Sequence, residues 1–237
     1  FGLPANYPAI RKIADAHRLF ILEDGAQGFG GMIGNKRACS FGDISTTSFF
    51  PAKPLGCYGD GGAVFTDNDE WAALADSYRV HGKGMFKYDN VRIGMNSRLD
   101  TLQAAILKIK FKAFREYELR DINKAAALYT KLLAGRVKTP VTPEGYYSSW
   151  AQYTICLNSR EERDALQACL KEQGIPSMVY YPTPMHGQTA YKALNAPTDC
   201  CPTAKRLCDT VLSLPVHPYI TEEEIETVCS VILGFVR

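Results

Sequence analysis

The chain contains no apolar run near the ~20 residues that a membrane-spanning helix needs, which excludes a helical membrane anchor within it. It has almost no charge imbalance: 27 basic residues against 25 acidic ones leave a formal net charge of +2. A balance that small calls for neither nucleic acid nor an acidic membrane surface as partner. Its eight cysteines include no Cys-x-x-Cys pair. The adjacent Cys200-Cys201 pair has no histidine and no second cysteine pair at a zinc-like spacing, so no metal site is expected. At 237 residues the chain is too large for a small disulfide scaffold. Free thiols in a reducing cytoplasm are the expectation, each behaving as a small, mostly buried hydrophobe. Internal repeats and low-complexity tracts are absent. With 46% apolar and 22% charged residues, the composition is that of a core-forming globular protein. A starting methionine and the charged and apolar regions of a signal peptide are also missing.

What is present is an alternation of helical and extended segments. Residues 7–18 place Ile10, Ile13 and Ala14 on one helical face. Leu19-Phe20-Ile21-Leu22 follows as a continuous apolar run and ends in Glu23-Asp24-Gly25. A helix followed by a fully apolar strand is half of a β-α-β unit and points to a mainly parallel sheet. In such sheets ligands bind just past the carboxyl ends of strands, where Asp24 stands. Residues 25–42 are glycine-rich; 44–50 and 63–66 read as strands, and 69–78 as a helix. Ser97 and Asp100 form a capping signal for a long helical stretch that runs to Gly135 and must break along the way. Beyond residue 140 the chain reads as strand 151–157, a helix capped by Ser159 and Glu162, helix 202–212, extended 214–216, and a last helix capped by Thr221 and Glu224. The expected organisation is a large-domain part at 1–140, with a long linking helix, and a small α+β domain at 141–237.

Lys53 is the centre of the chemistry. It follows a strand and Pro51 and precedes a glycine-rich loop. A lysine held in a poorly solvated pocket loses proton affinity and can form a Schiff base, whereas most lysines are solvated surface charges. Asp24 is the type of partner a pyridinium nitrogen needs, or else a turn-forming aspartate before Gly25. Ser48 can donate to a phosphate or to neighbouring backbone. Gln27 and Asn96 are polar groups able to reach a cofactor, or ordinary loop residues.

Six segments stand out together: Glu23-Asp24-Gly25-Ala26-Gln27-Gly28-Phe29-Gly30, Ser48-Phe49-Phe50-Pro51-Ala52-Lys53-Pro54-Leu55-Gly56, Gly59-Asp60-Gly61-Gly62-Ala63, Arg79-Val80-His81-Gly82, Arg92-Ile93-Gly94-Met95-Asn96-Ser97-Arg98-Leu99-Asp100, and Tyr181-Pro182 with Pro184-Met185-His186. They resemble the DegT/DnrJ/EryC1/StrS sugar aminotransferases, which are fold-type-I, pyridoxal-phosphate enzymes. The resemblance covers essentially the whole chain. It implies an α/β fold-type-I transferase with pyridoxal 5'-phosphate as cofactor. Lys53 resembles the family's Schiff-base lysine and proton shuttle, and separates the chain from the dehydratase branch, which has histidine there. By the same resemblance Asp24 partners the pyridine nitrogen, Gln27 lies beside the ring hydroxyl, and Ser48 binds the phosphate. Asn96 matches the asparagine that reaches the phosphate of a neighbouring subunit's cofactor, which implies a homodimer with shared sites. His81, Arg98, Tyr181 and His186 fall where the family places groups around a sugar nucleotide. Residues 57–62 and 96–107 resemble the branch that acts on UDP-2-acetamido-2-deoxy-3-oxo-glucuronate for surface polysaccharides. Its carboxylate would want a cation such as His81, Arg92 or Arg98. Glutamate is the implied amino donor. A 4-keto nucleotide sugar as acceptor, or an inactive chain that only keeps the fold, are the alternatives. Family members carry a further segment ahead of the position of Phe1, so a C-terminal fragment is expected.

Overall fold

A computed structural model describes residues 1–237 except Lys87, Ala196, Thr198, Asp199 and Arg237. Helix α1 (Tyr7–His17) begins where the Asn6 side chain accepts from the Ala9 N–H at 3.2 Å. That bond satisfies one of the four donors a helix start leaves unpaired. Arg18, in the left-handed conformation, closes the helix and turns the chain into strand β1 (Leu22–Asp24). Two short strands follow, β2 (Met32–Ile33) and β3 (Lys36–Arg37), and then β4 (Ile44–Ser48) and β5 (Gly62–Phe65). β1 pairs in parallel with β4, with Asp24 opposite Thr46. β5 pairs antiparallel with β4, with Ser48 opposite Gly62. The order β1-β4-β5 is a parallel pair with an antiparallel neighbour, a common mixed arrangement.

The apolar run at 19–22 behaves differently from expectation. The strand takes Leu22–Asp24, beginning only at the last residue of the run. Leu19, Phe20 and Leu22 are exposed, while Ile21 and Glu23 are buried. The run is thus no strand buried on both faces: only one face is packed, and its innermost side chain is a glutamate. The short strands β2 and β3, with β6 (Tyr146–Tyr147), form a small antiparallel sheet that the glycine-rich reading of 25–42 missed. Two-residue strands carry no period for a sequence to show.

Helix α2 (Asp69–Arg79) starts at Asn68, whose side chain accepts from the Trp71 N–H at 3.0 Å. The long helical stretch divides into α3 (Thr101–Ala113), one π turn (Phe114–Glu118) and α4 (Leu119–Leu133). The π turn is the expected break, made by a wider hydrogen-bond ring rather than by proline. The capping expectation at Ser97 is corrected. α3 starts at Thr101 with Asp100 as its cap residue and no side-chain cap bond; the Ser97 N–H, which a capping box would pair with the Asp100 carboxylate, donates instead to the Arg79 carbonyl at 2.9 Å.

The described chain divides into two compact units, residues 1–120 with 142–151, and residues 121–141 with 152–237. In the first, Leu55, Cys57, Leu107 and Phe114 form a core with Phe29, Phe49 and Leu119 packed against it. Phe29 ties the loop after β1 to this core: its ring lies 5.9 Å from Phe114 and 6.3 Å from Phe49. Next to it Gly30 has φ 94°, and an added Cβ would stand 2.6 Å from the Phe114 ring.

In the second unit β7 (Tyr153–Cys156) pairs antiparallel with β8 (Val211–Leu214). Helices α4, α5 (Arg160–Glu172), α6 (Pro202–Thr210) and α7 (Glu222–Phe235) complete an α+β arrangement. α6 stops at Thr210, not 212, because Val211–Leu214 is the fully buried strand. The caps at Ser159 and Thr221 form as expected, the latter as a reciprocal box with Glu224. Tyr129 and Tyr153 stack at 5.0 Å and are fully buried. Among the described residues no helix is long and apolar enough to cross a membrane, and all eight cysteines are free thiols. Cys200 and Cys201 are exposed, contrary to the expectation of burial, because they lie on the turn that precedes α6.

Candidate active site

Two parallel strands end at one edge of the larger sheet. Asp24 is the last residue of β1 and Ser48 the last of β4. Asp24 is exposed, and its Oδ1 accepts from the Ala26 N–H at 3.0 Å. It is therefore the turn-forming aspartate and an outward-facing carboxylate at once. The turn is held against β4: the Gly25 N–H donates to the Thr46 carbonyl at 2.8 Å, and the Thr47 hydroxyl donates to the Gly25 carbonyl at 3.1 Å. A side chain at Gly25 would run into the Cys39 sulfur. Gln27 is half-buried two residues on, and its carbonyl accepts from the Ser149 hydroxyl at 3.3 Å.

Ser48 is half-buried, and its Oγ accepts from the Phe50 N–H at 3.2 Å. The chain then turns, with the Lys53 N–H donating to the Phe50 carbonyl at 2.9 Å. Lys53 is half-buried on this turn. It is fixed from behind by the Cys57 N–H to the Phe49 carbonyl, and by the Phe49 N–H to the Gly61 carbonyl, both at 2.7 Å. Asp24, Gln27, Ser48 and Lys53 thus sit on the loops and strand ends of one sheet edge.

Beneath them lies a residue that sequence reasoning missed. Glu23 is 1% exposed and accepts from four donors: Cys39 N–H at 2.6 Å, Phe41 N–H at 2.8 Å, Gly42 N–H at 3.1 Å and the Ser45 hydroxyl at 3.1 Å. A buried carboxylate persists only when so satisfied. The signal available in sequence was a charged residue at the end of an otherwise apolar run. Its surroundings feel it. Burial, and then the Glu23 charge, push the Cys39 thiol up to about 11 and the Tyr7 hydroxyl up to about 12.

A second group is carried by a strap between α2 and α3. The His81 N–H donates to the Met95 carbonyl at 2.9 Å, and Val80 bridges Asn96. His81 and Gly82 have φ of 59° and 70°, and a Cβ at Gly82 would collide with the Arg92 carbonyl. His81, Asn96 and Arg98 are exposed. Arg98 donates to the Asn96 side chain, while Arg92 turns back onto Ser77 and lies over the Tyr78 ring at 5.8 Å. A cavity of about 1170 Å³ reaches from β4 and β5 to Asn96 and Arg98, and none of Asp24, Gln27, Ser48 or Lys53 lines it. The chemistry of the strand ends, not the cavity, marks the first group. Tyr181 and His186 lie in the other unit: Tyr181 is exposed with its ring 5.4 Å from Tyr180, and His186 is half-buried in a short turn.

The sequence profile described as the DegT/DnrJ/EryC1/StrS aminotransferase family matches residues 1–233. UDP-2-acetamido-2-deoxy-3-oxo-D-glucuronate aminotransferase of Pseudomonas aeruginosa is 41% identical over 231 residues, which is 97% of this chain and 62% of that protein. UDP-N-acetyl-3-dehydro-alpha-D-glucosamine 3-aminotransferase of Acidithiobacillus ferrooxidans is 41% identical over 233 residues, 98% of this chain and 61% of that one. The crystal structure of a DegT DnrJ EryC1 StrS aminotransferase from Brucella abortus superimposes with a TM-score of 0.93 at 47% identity, over 99% of this chain and 62% of that structure. The chain therefore spans about three fifths of the length of the relatives it matches.

Proposed function

The chain belongs to the DegT/DnrJ/EryC1/StrS aminotransferase family, and from that premise we propose that it carries the cofactor-bearing residues of a pyridoxal-phosphate aminotransferase acting on nucleotide sugars. The observation that carries this reading is the placement of Asp24 and Ser48 at the ends of adjacent parallel strands, with Lys53 on the turn that follows. The donor set fits the cofactor. The exposed Asp24 carboxylate, held through one oxygen only by a backbone amide, suits a protonated ring nitrogen. A hydroxyl at Ser48 suits a phosphate, Gln27 the ring hydroxyl, and Lys53 supplies an amine. In this reading residues 1–140 belong to the large, cofactor-binding domain and residues 141–237 form the small one.

When bound, pyridoxal phosphate supplies an electron sink for the carbanion left by removal of a proton. The chain's own residues do the rest. Asp24 would hold the proton on the ring nitrogen. Ser48 orients the phosphate end. Lys53 Nζ removes the α-proton of glutamate in the first half-reaction and delivers a proton to the sugar carbon in the second. One base on one face serves both transfers, which is general acid–base work at short range. Glutamate would leave as 2-oxoglutarate, a water oxygen replacing its nitrogen, and that nitrogen would stay with the bound cofactor until the keto sugar gives up its oxygen as water and leaves as an amino sugar.

The acceptor we propose is UDP-2-acetamido-2-deoxy-3-oxo-glucuronate, for surface polysaccharide synthesis. Two relatives at 41% identity have names that place the chemistry at the 3-position of a UDP-linked sugar. His81 and Arg98 are the exposed basic side chains offered to its carboxylate, Arg98 also donating to the Asn96 side chain, while Arg92 is half-buried and engaged with Ser77. Tyr181 and His186 are the further residues we propose for the sugar nucleotide. The working form is a homodimer, in which Asn96 reaches the partner's cofactor phosphate. Exposed Ile93, Met95, Leu102 and Ile109 on the same stretch of chain support a covered surface there. Free thiols suit a cytoplasmic setting.

The test is borohydride reduction of the protein with pyridoxal phosphate, followed by peptide mapping. The label falls on Lys53, and Lys53→Ala loses both the visible absorbance and turnover with glutamate and a 3-keto nucleotide sugar. Full transamination by Lys53→Ala refutes the assignment. Amination of a 4-keto sugar in preference to the 3-keto one refutes the acceptor.

A further inference from the structure

We propose that His186, Cys200 and Cys201 form a binding site for a thiophilic divalent metal ion, with zinc as the ion that fits. One ligand atom from each residue lies within 4.8 Å of the others. The two sulfurs stand 3.7 Å apart. Tetrahedral zinc holds thiolate sulfur at about 2.3 Å, which separates two sulfurs on one ion by about 3.8 Å. The pair is therefore already one tetrahedral edge wide. An imidazole nitrogen at about 2.0 Å from the ion would sit about 3.5 Å from each sulfur, within a side-chain rotation of its present place.

The ligands are carried on two turned segments. His186 lies in the turn Met185–Gly187, closed by the Gly187 N–H to the Pro184 carbonyl at 2.9 Å and the Gln188 N–H to the Met185 carbonyl at 3.0 Å. Cys201 is the residue before α6, where Pro202 starts the helix and the Lys205 N–H donates to the Cys201 carbonyl at 3.1 Å. Sequence spacing hid the site, because adjacent cysteines and a histidine fourteen residues upstream match no finger pattern.

Beside the cluster a cavity of about 270 Å³ is lined by His186, Arg160, Lys205 and Asp209. Three protein ligands leave a fourth position for water or a ligand oxygen, the open layout of zinc sites that do more than brace a fold. Binding replaces two thiol protons, released to solvent, so that one divalent ion and two thiolates are neutral together. The imidazole keeps its second nitrogen for a substrate oxygen. The site lies within the second unit and uses none of Asp24, Gln27, Ser48 or Lys53, so it stands or falls apart from the cofactor reading.

The experiment uses the full chain, reduced with a phosphine, freed of metal and titrated with zinc against a chromophoric chelator. Cobalt(II) serves as the spectroscopic probe. The expected result is one ion per chain, a zinc dissociation constant below about 1 μM, and a sulfur-to-cobalt charge-transfer band. The double variant Cys200→Ser/Cys201→Ser abolishes the band and weakens zinc binding at least about 100-fold, with its circular dichroism unchanged because both side chains are exposed. His186→Ala weakens binding at least about tenfold. Zinc affinity retained in the double variant, cobalt bound without a sulfur band, or an indifferent His186→Ala each overturns the proposal.

Discussion

Replacing Glu23 by alanine tests the reasoning about the sheet edge most directly. Truncation strands three main-chain N–H groups, those of Cys39, Phe41 and Gly42, that now share one carboxylate in a buried place. The Ser45 hydroxyl also loses its acceptor but can rotate. A buried donor left unpaired costs about 1–3 kcal/mol, and water entering the vacated space recovers part of it. The net loss expected is about 3–5 kcal/mol, against the 5–15 kcal/mol that typically holds a domain together. Glu23→Gln separates hydrogen bonding from packing. Its carbonyl can replace the oxygen facing Phe41, Gly42 and Ser45, but its amide then confronts the Cys39 N–H, donor against donor. It should cost about 1–3 kcal/mol, less than alanine. Urea denaturation followed by circular dichroism reads both losses. Hydrogen exchange at residues 39, 41 and 42 shows whether the loop opens first. An alanine variant within about 1 kcal/mol of the parent refutes the account, as does a glutamine variant worse than alanine.

Two further predictions follow from the same physics. The Cys39 and Cys229 thiols are both raised from 9.0 to about 11, chiefly by burial. The folded chain keeps these protons after the unfolded chain has lost them. The stability they contribute is therefore complete below about pH 9 and lost as pH climbs to about 11, on the order of 2 kcal/mol for each thiol. Denaturation midpoints that stay flat across that alkaline window would falsify this linkage. At Gly82, with φ 70° and the Arg92 carbonyl in the way, alanine must force the strap open and should cost about 3 kcal/mol. Gly135→Ala, with φ 73° but open space around it, should cost about 1 kcal/mol. Equal melting shifts for the two variants, with no new protease sensitivity between residues 79 and 98, would show that the collision at Gly82 is relieved without strain.

Much of the fold could be read along the chain because its signals are local. Ser159 and Thr221 announce helix starts through bonds to amides three residues away, and the structure forms both. Signals that compete with tertiary contacts misled. Ser97 and Asp100 are spaced as a cap, yet the Ser97 amide is taken by Arg79, and α3 begins later. Val211 and Leu212 continue a helical pattern, yet the buried pairing with β7 takes them into a strand. The two-residue strands β2 and β3 close a local hairpin too short to show a period, Met32 opposite Arg37, and β6 exists only because distant chain meets them, Met32 against Tyr147 and Ile33 against Tyr146.

The candidate site shows the same division. Asp24, Ser48 and Lys53 are legible as candidates, and the structure places the first two at strand ends and the third on the turn that follows. Glu23 was not, although it is the neighbour of Asp24, because a sequence does not say which face of a strand is packed. The alternation of β1 resolves it: Leu22 and Asp24 are exposed, and Glu23 between them is buried. Side chains of a strand point to opposite faces in turn, so whatever fixes Glu23 also fixes where Asp24 points. The amides of residues 39, 41 and 42 grip Glu23 from behind, and the Gly25 amide grips the strand end through the Thr46 carbonyl. A rotation of β1 that turned Asp24 inward would break the first set and put an unpaired carboxylate into the core, which costs several kcal/mol. The outward direction of Asp24 is therefore set by the burial of Glu23: of the two adjacent acids, one anchors the strand and the other is turned out at its end.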